Sequence, residues 1–108
     1  MREVKIIQYG ATTSVPTASI DGWNIANSKY LMIGINTTDS VSYRVWLKIN
    51  DTWFPDNDNT PNGISTVTVE NTETGKEIDV REVNGFETMT IEITEIAGTA
   101  TFDIATSK

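Results

Sequence analysis

More than a third of this 108-residue chain is β-branched: 17 threonines, 13 isoleucines and 8 valines, against only two leucines and six alanines. Branching at Cβ stiffens χ1 and suits a pleated, half-buried surface, whereas helices favour Leu, Ala, Glu and Lys. Ordinary soluble domains have Leu and Ala among their commonest residues. The chain is therefore expected to be all-β, and its length suits one domain.

Several kinds of chemistry are removed by composition. There is no Cys and no His, so the commonest general base, the thiolate nucleophile and most zinc or iron sites are missing. Fifteen acidic residues against eight basic ones give a net charge of −7, opposite to the basic patch that nucleic-acid binding needs. The sequence has no apolar run approaching the roughly 18 residues of a membrane helix, nor the apolar stretch of a secretory leader near its start. No cofactor, nucleic acid or membrane partner is expected.

Alternation along the chain predicts short strands separated by turn signals. Val4 to Tyr9 reads as a strand, followed by an irregular Thr/Ser/Ala/Pro connector from Gly10 to Ser19. Asp21-Gly22 is a turn. Lys29 to Asn36 is dense enough in apolar groups to suggest a strand covered on both faces, with Gly34 marking a bulge or a close neighbour. After Asp39-Ser40 comes the clearest period-2 segment: Tyr43, Val45, Leu47 and Ile49 on one face, Ser42, Arg44, Trp46 and Lys48 on the other.

Asn50 to Gly63 reads as a polar loop holding Trp53, Phe54, Pro55 and Pro61. Ser65, Val67 and Val69 then alternate with Thr66, Thr68 and Glu70. Asn71 to Lys76 is expected to be a hairpin connection with Gly75 at positive φ. Ile78 and Val80 are placed inward on the return strand. Val83 is out of phase, so a bulge or strand end is expected near Arg81-Glu82. Asn84-Gly85 turns again, Met89, Ile91 and Ile93 face inward, Ile96 to Gly98 breaks the run, and Ala100, Phe102 and Ile104 complete the inward set. The resulting expectation is a single β-sandwich, jelly-roll or Ig-like, of seven to eight short, mainly antiparallel strands spanning 20–108. Residues 1–19 would form an N-terminal strand and extended arm. The segments 29–49 and 87–105 also resemble each other, as any two hairpins of one sandwich do.

Candidate sites follow from exposed side chains. Trp46, outward by parity between Arg44 and Lys48, offers a rigid anchor for a protein partner. Together with Trp53 and Tyr30 it could instead stack on a sugar ring. Val4, Ile6, Ile7 and Tyr9 would let the arm pair within its own domain or add a strand to a neighbour. Asp56, Asp58 and Asn62, with Asp51, could offer oxygen ligands to Ca²⁺, but their spacing is not that of an EF-hand, and Asx-rich loops also arise from turn capping. The carboxylate pairs Glu77/Asp79 and Glu92/Asp103 fall at outward strand positions, where desolvation is not expected, so no enzyme is predicted. Asn36-Thr37-Thr38 and Asn50-Asp51-Thr52 match the glycosylation sequon, as chance allows in a chain rich in Asn and Thr.

The string Val83-Asn84-Gly85-Phe86-Glu87-Thr88-Met89-Thr90-Ile91-Glu92-Ile93, followed by Ala97-Gly98-Thr99-Ala100-Thr101-Phe102, resembles small β-sandwich structural proteins of tailed bacteriophage virions. In that group a Gly-aromatic pair opens a strand and a Gly-Thr turn leads into a Thr/Val/Phe alternation. Lys48-Ile49-Asn50-Asp51-Thr52-Trp53 resembles their Asp-Gly-x-x-Trp turn, although the Gly is absent and Trp53 follows Asp51 by two positions rather than four. The resemblance spans residues 29–54 and 80–105. It implies a decoration or auxiliary capsid subunit, head fibre or tail component, located in the virion after assembly in the host cytoplasm. Its partner would be the major capsid protein or another virion structural protein, and it would form a homo-oligomer.

Overall fold

A computed structural model describes residues 22–56, 66–72 and 74–107. Among these the chain is all-β: β1 (Trp23–Asn24), β2 (Tyr30–Thr37), β3 (Ser40–Ile49), β4 (Thr52–Pro55), β5 (Val67–Glu70), β6 (Lys76–Glu82), β7 (Thr88–Ala97) and β8 (Ala100–Ser107). The strands form two antiparallel sheets. One runs β1-β7-β3-β4, with β5 also paired to β3; the other runs β6-β2-β8.

The core lies between the sheets and follows the alternation of the sequence. From the five-stranded sheet Val41, Tyr43, Val45 and Leu47 of β3 meet Met89, Ile91 and Ile93 of β7. The three-stranded sheet contributes Leu31, Ile33 and Ile35 of β2 with Phe102 of β8. Tyr43 and Phe102 pack edge to face, ring centroids 5.4 Å apart at 76°, the geometry aromatic quadrupoles favour.

The two similar segments prove to be arches rather than hairpins. β2 and β3 are consecutive yet lie in different sheets, as do β7 and β8, and the arches stack so that β2 pairs with β8 and β3 with β7. Their corners are joined by hydrogen bonds. Thr38 N–H donates to Thr99 O at 3.0 Å, Thr37 Oγ1 donates to the same carbonyl at 2.9 Å, and Thr99 N–H donates to Thr38 Oγ1 at 2.9 Å. The expected break near Ile96 is a β-bulge. Ser42 pairs with Glu95 but Tyr43 with Ile93, leaving Thr94 as the extra residue. The bulge moves the inward parity of β7 from Met89, Ile91 and Ile93 to Ile96, which explains the apolar residue at an even position.

Three other expectations are corrected. The loop expected from Asn50 begins instead with a hairpin: Asn50 and Asp51 take φ of 48° and 67°, and Ile49 pairs with Thr52. Positive φ at both central residues is the signature of a type I′ turn, so Trp53, Phe54 and Pro55 belong to β4. The 71–76 connection joins β5 in one sheet to β6 in the other rather than closing a hairpin; Gly75 does adopt positive φ, 67°. Finally, β2 keeps regular register through Gly34, where an added Cβ would meet only ordinary contacts at 3.7 Å. Its outer face is open among the described residues, with Tyr30 38% exposed.

Candidate interaction surfaces

The largest departure from sequence parity is in β6. Leu31 pairs with Arg81, Ile33 with Asp79 and Ile35 with Glu77. Directly opposed residues share a face, so the charged residues of β6 share the core-facing side of β2. Ile78 and Val80, expected inward, stand on the outer face and are 75% and 57% exposed. The strand is turned by the charge cluster beneath it. Arg81, its side chain 1% exposed, bridges Asp79 at 3.0 Å and Asp56 at 3.1 Å, and Tyr43 Oη donates to Asp79 Oδ2 at 2.6 Å. Asp56 follows β4, so the cluster ties the edge of one sheet to the edge of the other.

Charge-assisted hydrogen bonds of this kind offset the cost of burying ionic groups that would otherwise be unpaired. Burial opposes the charge on Arg81, but the hydrogen bonds and charges of Asp79 and Asp56 outweigh it and raise its pKa above the usual value. Burial, followed by the hydrogen bond to Asp79, pushes the Tyr43 hydroxyl well above its ordinary value of 10.0. A signal for this arrangement was present in the sequence. Val83, fully buried, has the same parity as Arg81 and Asp79, and would have set the correct face had it been preferred over Ile78 and Val80.

The outer face of the three-stranded sheet consequently carries Tyr30, Met32, Ile78 and Val80. Met32 pairs with Val80 on one side and Ala105 on the other, and Gly34 lies between Ile78 and Asp103. Gly34 leaves a shallow depression between those two side chains. This is a contiguous apolar stripe with charged ends, Lys76 at one and Glu82 at the other.

The outer face of the five-stranded sheet differs. Parity does place Trp46 there with Arg44 and Lys48, but Trp46 is only 6% exposed. Its indole N–H donates to Glu92 Oε1 at 3.0 Å. Arg44 lies 3.8 Å from the same oxygen, and its Nε donates to Thr66 Oγ1 at 2.9 Å. Trp53, 8% exposed, lies across the sheet, its ring reaching the neighbourhood of Gly22, and Lys48 Nζ sits 5.1 Å from its centroid. Thr90, directly opposite Trp46 on β7, is fully buried. These side chains satisfy one another instead of presenting an open aromatic anchor, which corrects the expectation for Trp46.

The remaining candidates do not converge. Tyr30 lies on the outer face of the opposite sheet from Trp46 and Trp53, so the three form no common stacking platform. Asp56 is engaged by Arg81, while Asp58 and Asn62 lie outside the described residues, as do Val4, Ile6, Ile7, Tyr9 and the whole 1–19 arm. Asp79 and Glu92, expected on solvated outward positions, are half-buried and buried, each held by the partners above. Glu92 and Asp103 belong to opposite outer faces of the sandwich. Comparison with protein-family models, curated proteins and solved structures finds no match to this chain.

Proposed function

We propose that this chain is a non-enzymatic assembly protein, a β-sandwich that docks on a protein shell, and that the shell is a bacteriophage capsid to which it adds as a decoration or auxiliary subunit. The observation that carries the docking role is the stripe Tyr30, Met32, Ile78 and Val80 on the outer face of the three-stranded sheet. Scattered exposed apolar residues are normal; a contiguous apolar strip flanked by charge is the pattern of a contact surface. The capsid assignment adds the sequence resemblance of residues 29–54 and 80–105 to virion sandwich proteins. A partner chain seated on this strip would bury the aliphatic side chains that the inverted strand turns outward.

The test is co-sedimentation of the intact protein with shells assembled from the major shell protein encoded alongside it. The double variant Ile78→Lys/Val80→Lys is expected to bind about 30-fold more weakly, the loss of a contact worth about 2 kcal/mol, with an unchanged circular dichroism spectrum because both side chains are exposed. Shells that hold the double variant as tightly as the original would overturn the assignment of this face. Failure of the original protein to bind shells under the same conditions would overturn the assembly role itself.

A further inference from the structure

We propose that β6 pairs edge to edge with β6 of a second copy of this chain, joining two three-stranded sheets into one of six strands about a two-fold axis through Asp79. Two observations support a second copy over any other strand. Among the described residues β6 has β2 as its one hydrogen-bonded neighbour, and its sequence, Lys-Glu-Ile-Asp-Val-Arg-Glu from 76 to 82, is complementary to itself when reversed. In an antiparallel register centred on residue 79, Lys76 meets Glu82 of the partner subunit, Glu77 meets the partner's Arg81, and Ile78 meets the partner's Val80. Each pair occurs twice, as an isologous contact requires.

Charge and face both select this register. Edge strands with inward-pointing charges resist casual pairing, because an arbitrary strand laid alongside would bury those charges unmatched; a reversed copy of β6 sets the exposed Lys76 against the exposed Glu82 at both ends, while Arg81 stays bridged to Asp79 and Asp56 within its own sandwich. At the axis the two Asp79 carboxylates are each turned into their own sandwich, held by Arg81 at 3.0 Å and Tyr43 at 2.6 Å. Moving the centre to Ile78 sets Glu77 against Asp79, like charges opposed. Moving it to Val80 sets Ile78 against Glu82. Only registers centred on a residue keep both apolar outer faces on the same side of the joined sheet. The pairing extends the Ile78–Val80 stripe across the axis and leaves its face open, so it does not depend on the shell reading.

A seven-residue ladder is a small interface, so association is concentration-dependent and in about the micromolar range or weaker. Sedimentation equilibrium of the intact protein without any shell tests it. Lys76→Glu and Glu82→Lys each place like charges opposite one another twice per dimer, and each is expected to weaken dimerisation about tenfold. The double reversal Lys76→Glu/Glu82→Lys should recover the original affinity to within about threefold, a rescue that no general effect of surface charge would produce. Both side chains are exposed, and circular dichroism checks that each variant folds. A monomer at all concentrations up to about 1 mM, a dimer indifferent to the single reversals, or a double reversal no tighter than the singles would each overturn the proposal. A protein that shows the rescue yet ignores shells would refute the docking role alone.

Discussion

At the scale of single residues, the chain places its polar groups by partner rather than by exposure. Tyr43 is the clearest case: its ring fills the core against Phe102 while its hydroxyl reaches Asp79 at 2.6 Å. Because burial and that carboxylate hold the hydroxyl protonated above its ordinary range, folded and unfolded chains differ in proton binding at alkaline pH. Above about pH 10 the unfolded tyrosine releases a proton that the folded one keeps, so stability contributed by this group is intact below that pH and declines as pH rises. Denaturant unfolding measured from pH 8 to 11 should show a steeper alkaline loss for the original protein than for Tyr43→Phe, whose baseline lies about 1–2 kcal/mol lower from the lost hydrogen bond. Parallel declines would show that Tyr43 does not titrate as described. Trp46 teaches the same lesson, since its parity was legible but its hydrogen bond to Glu92 was not.

Among the elements, β3, β7 and β8 follow sequence alternation closely, because each has a strong apolar face and a Thr-rich or charged one. β6 does not, and the reason is positional. An edge strand has one neighbour and a thin share of the core, so two aliphatic residues do not outweigh an ionic cluster that links it to the other sheet. Arg81 is the link, with its side chain 1% exposed between Asp79 and Asp56. Arg81→Ala leaves both carboxylates without their cation and is expected to destabilise the fold by about 3–5 kcal/mol, read as a lower urea midpoint at unchanged slope. A cost below about 1 kcal/mol, the range of exposed pairs, would mean the cluster is effectively solvated. The Thr94 bulge and the Asn50-Asp51 turn were both written locally, one as a shift of apolar parity from Ile93 to Ile96, the other as an Asx pair between two strands.

For the molecule as a whole, stability depends on strands far apart in the chain. Val45 pairs with Ile91 and Ile33 with Ile104, so most of the core forms only after long loops close. Topologies of this kind fold slowly, and the main refolding phase followed by tryptophan fluorescence in a stopped-flow instrument is expected between about 1 ms and 1 s. A dominant phase in microseconds would contradict the stacked-arch arrangement. The same long-range pairing brings the Thr37–Thr38 corner against Thr99, fastening the two arches at one end of the sandwich.

Composition and period-2 alternation determined by themselves that this protein is a two-sheet β-sandwich, because β-branched residues at alternating positions leave few other ways to bury one face of each strand. They also located most of the turns, where Gly, Asn and Asp supply the backbone angles that other residues resist. What only the tertiary structure decided is which side of β6 meets water, whether Trp46 is open or covered, and which neighbouring strands share a sheet. Those outcomes turn on groups distant in sequence, Arg81 with Asp56, Trp46 with Glu92 and β2 with β8, whose attraction acts across space and leaves no local period to read.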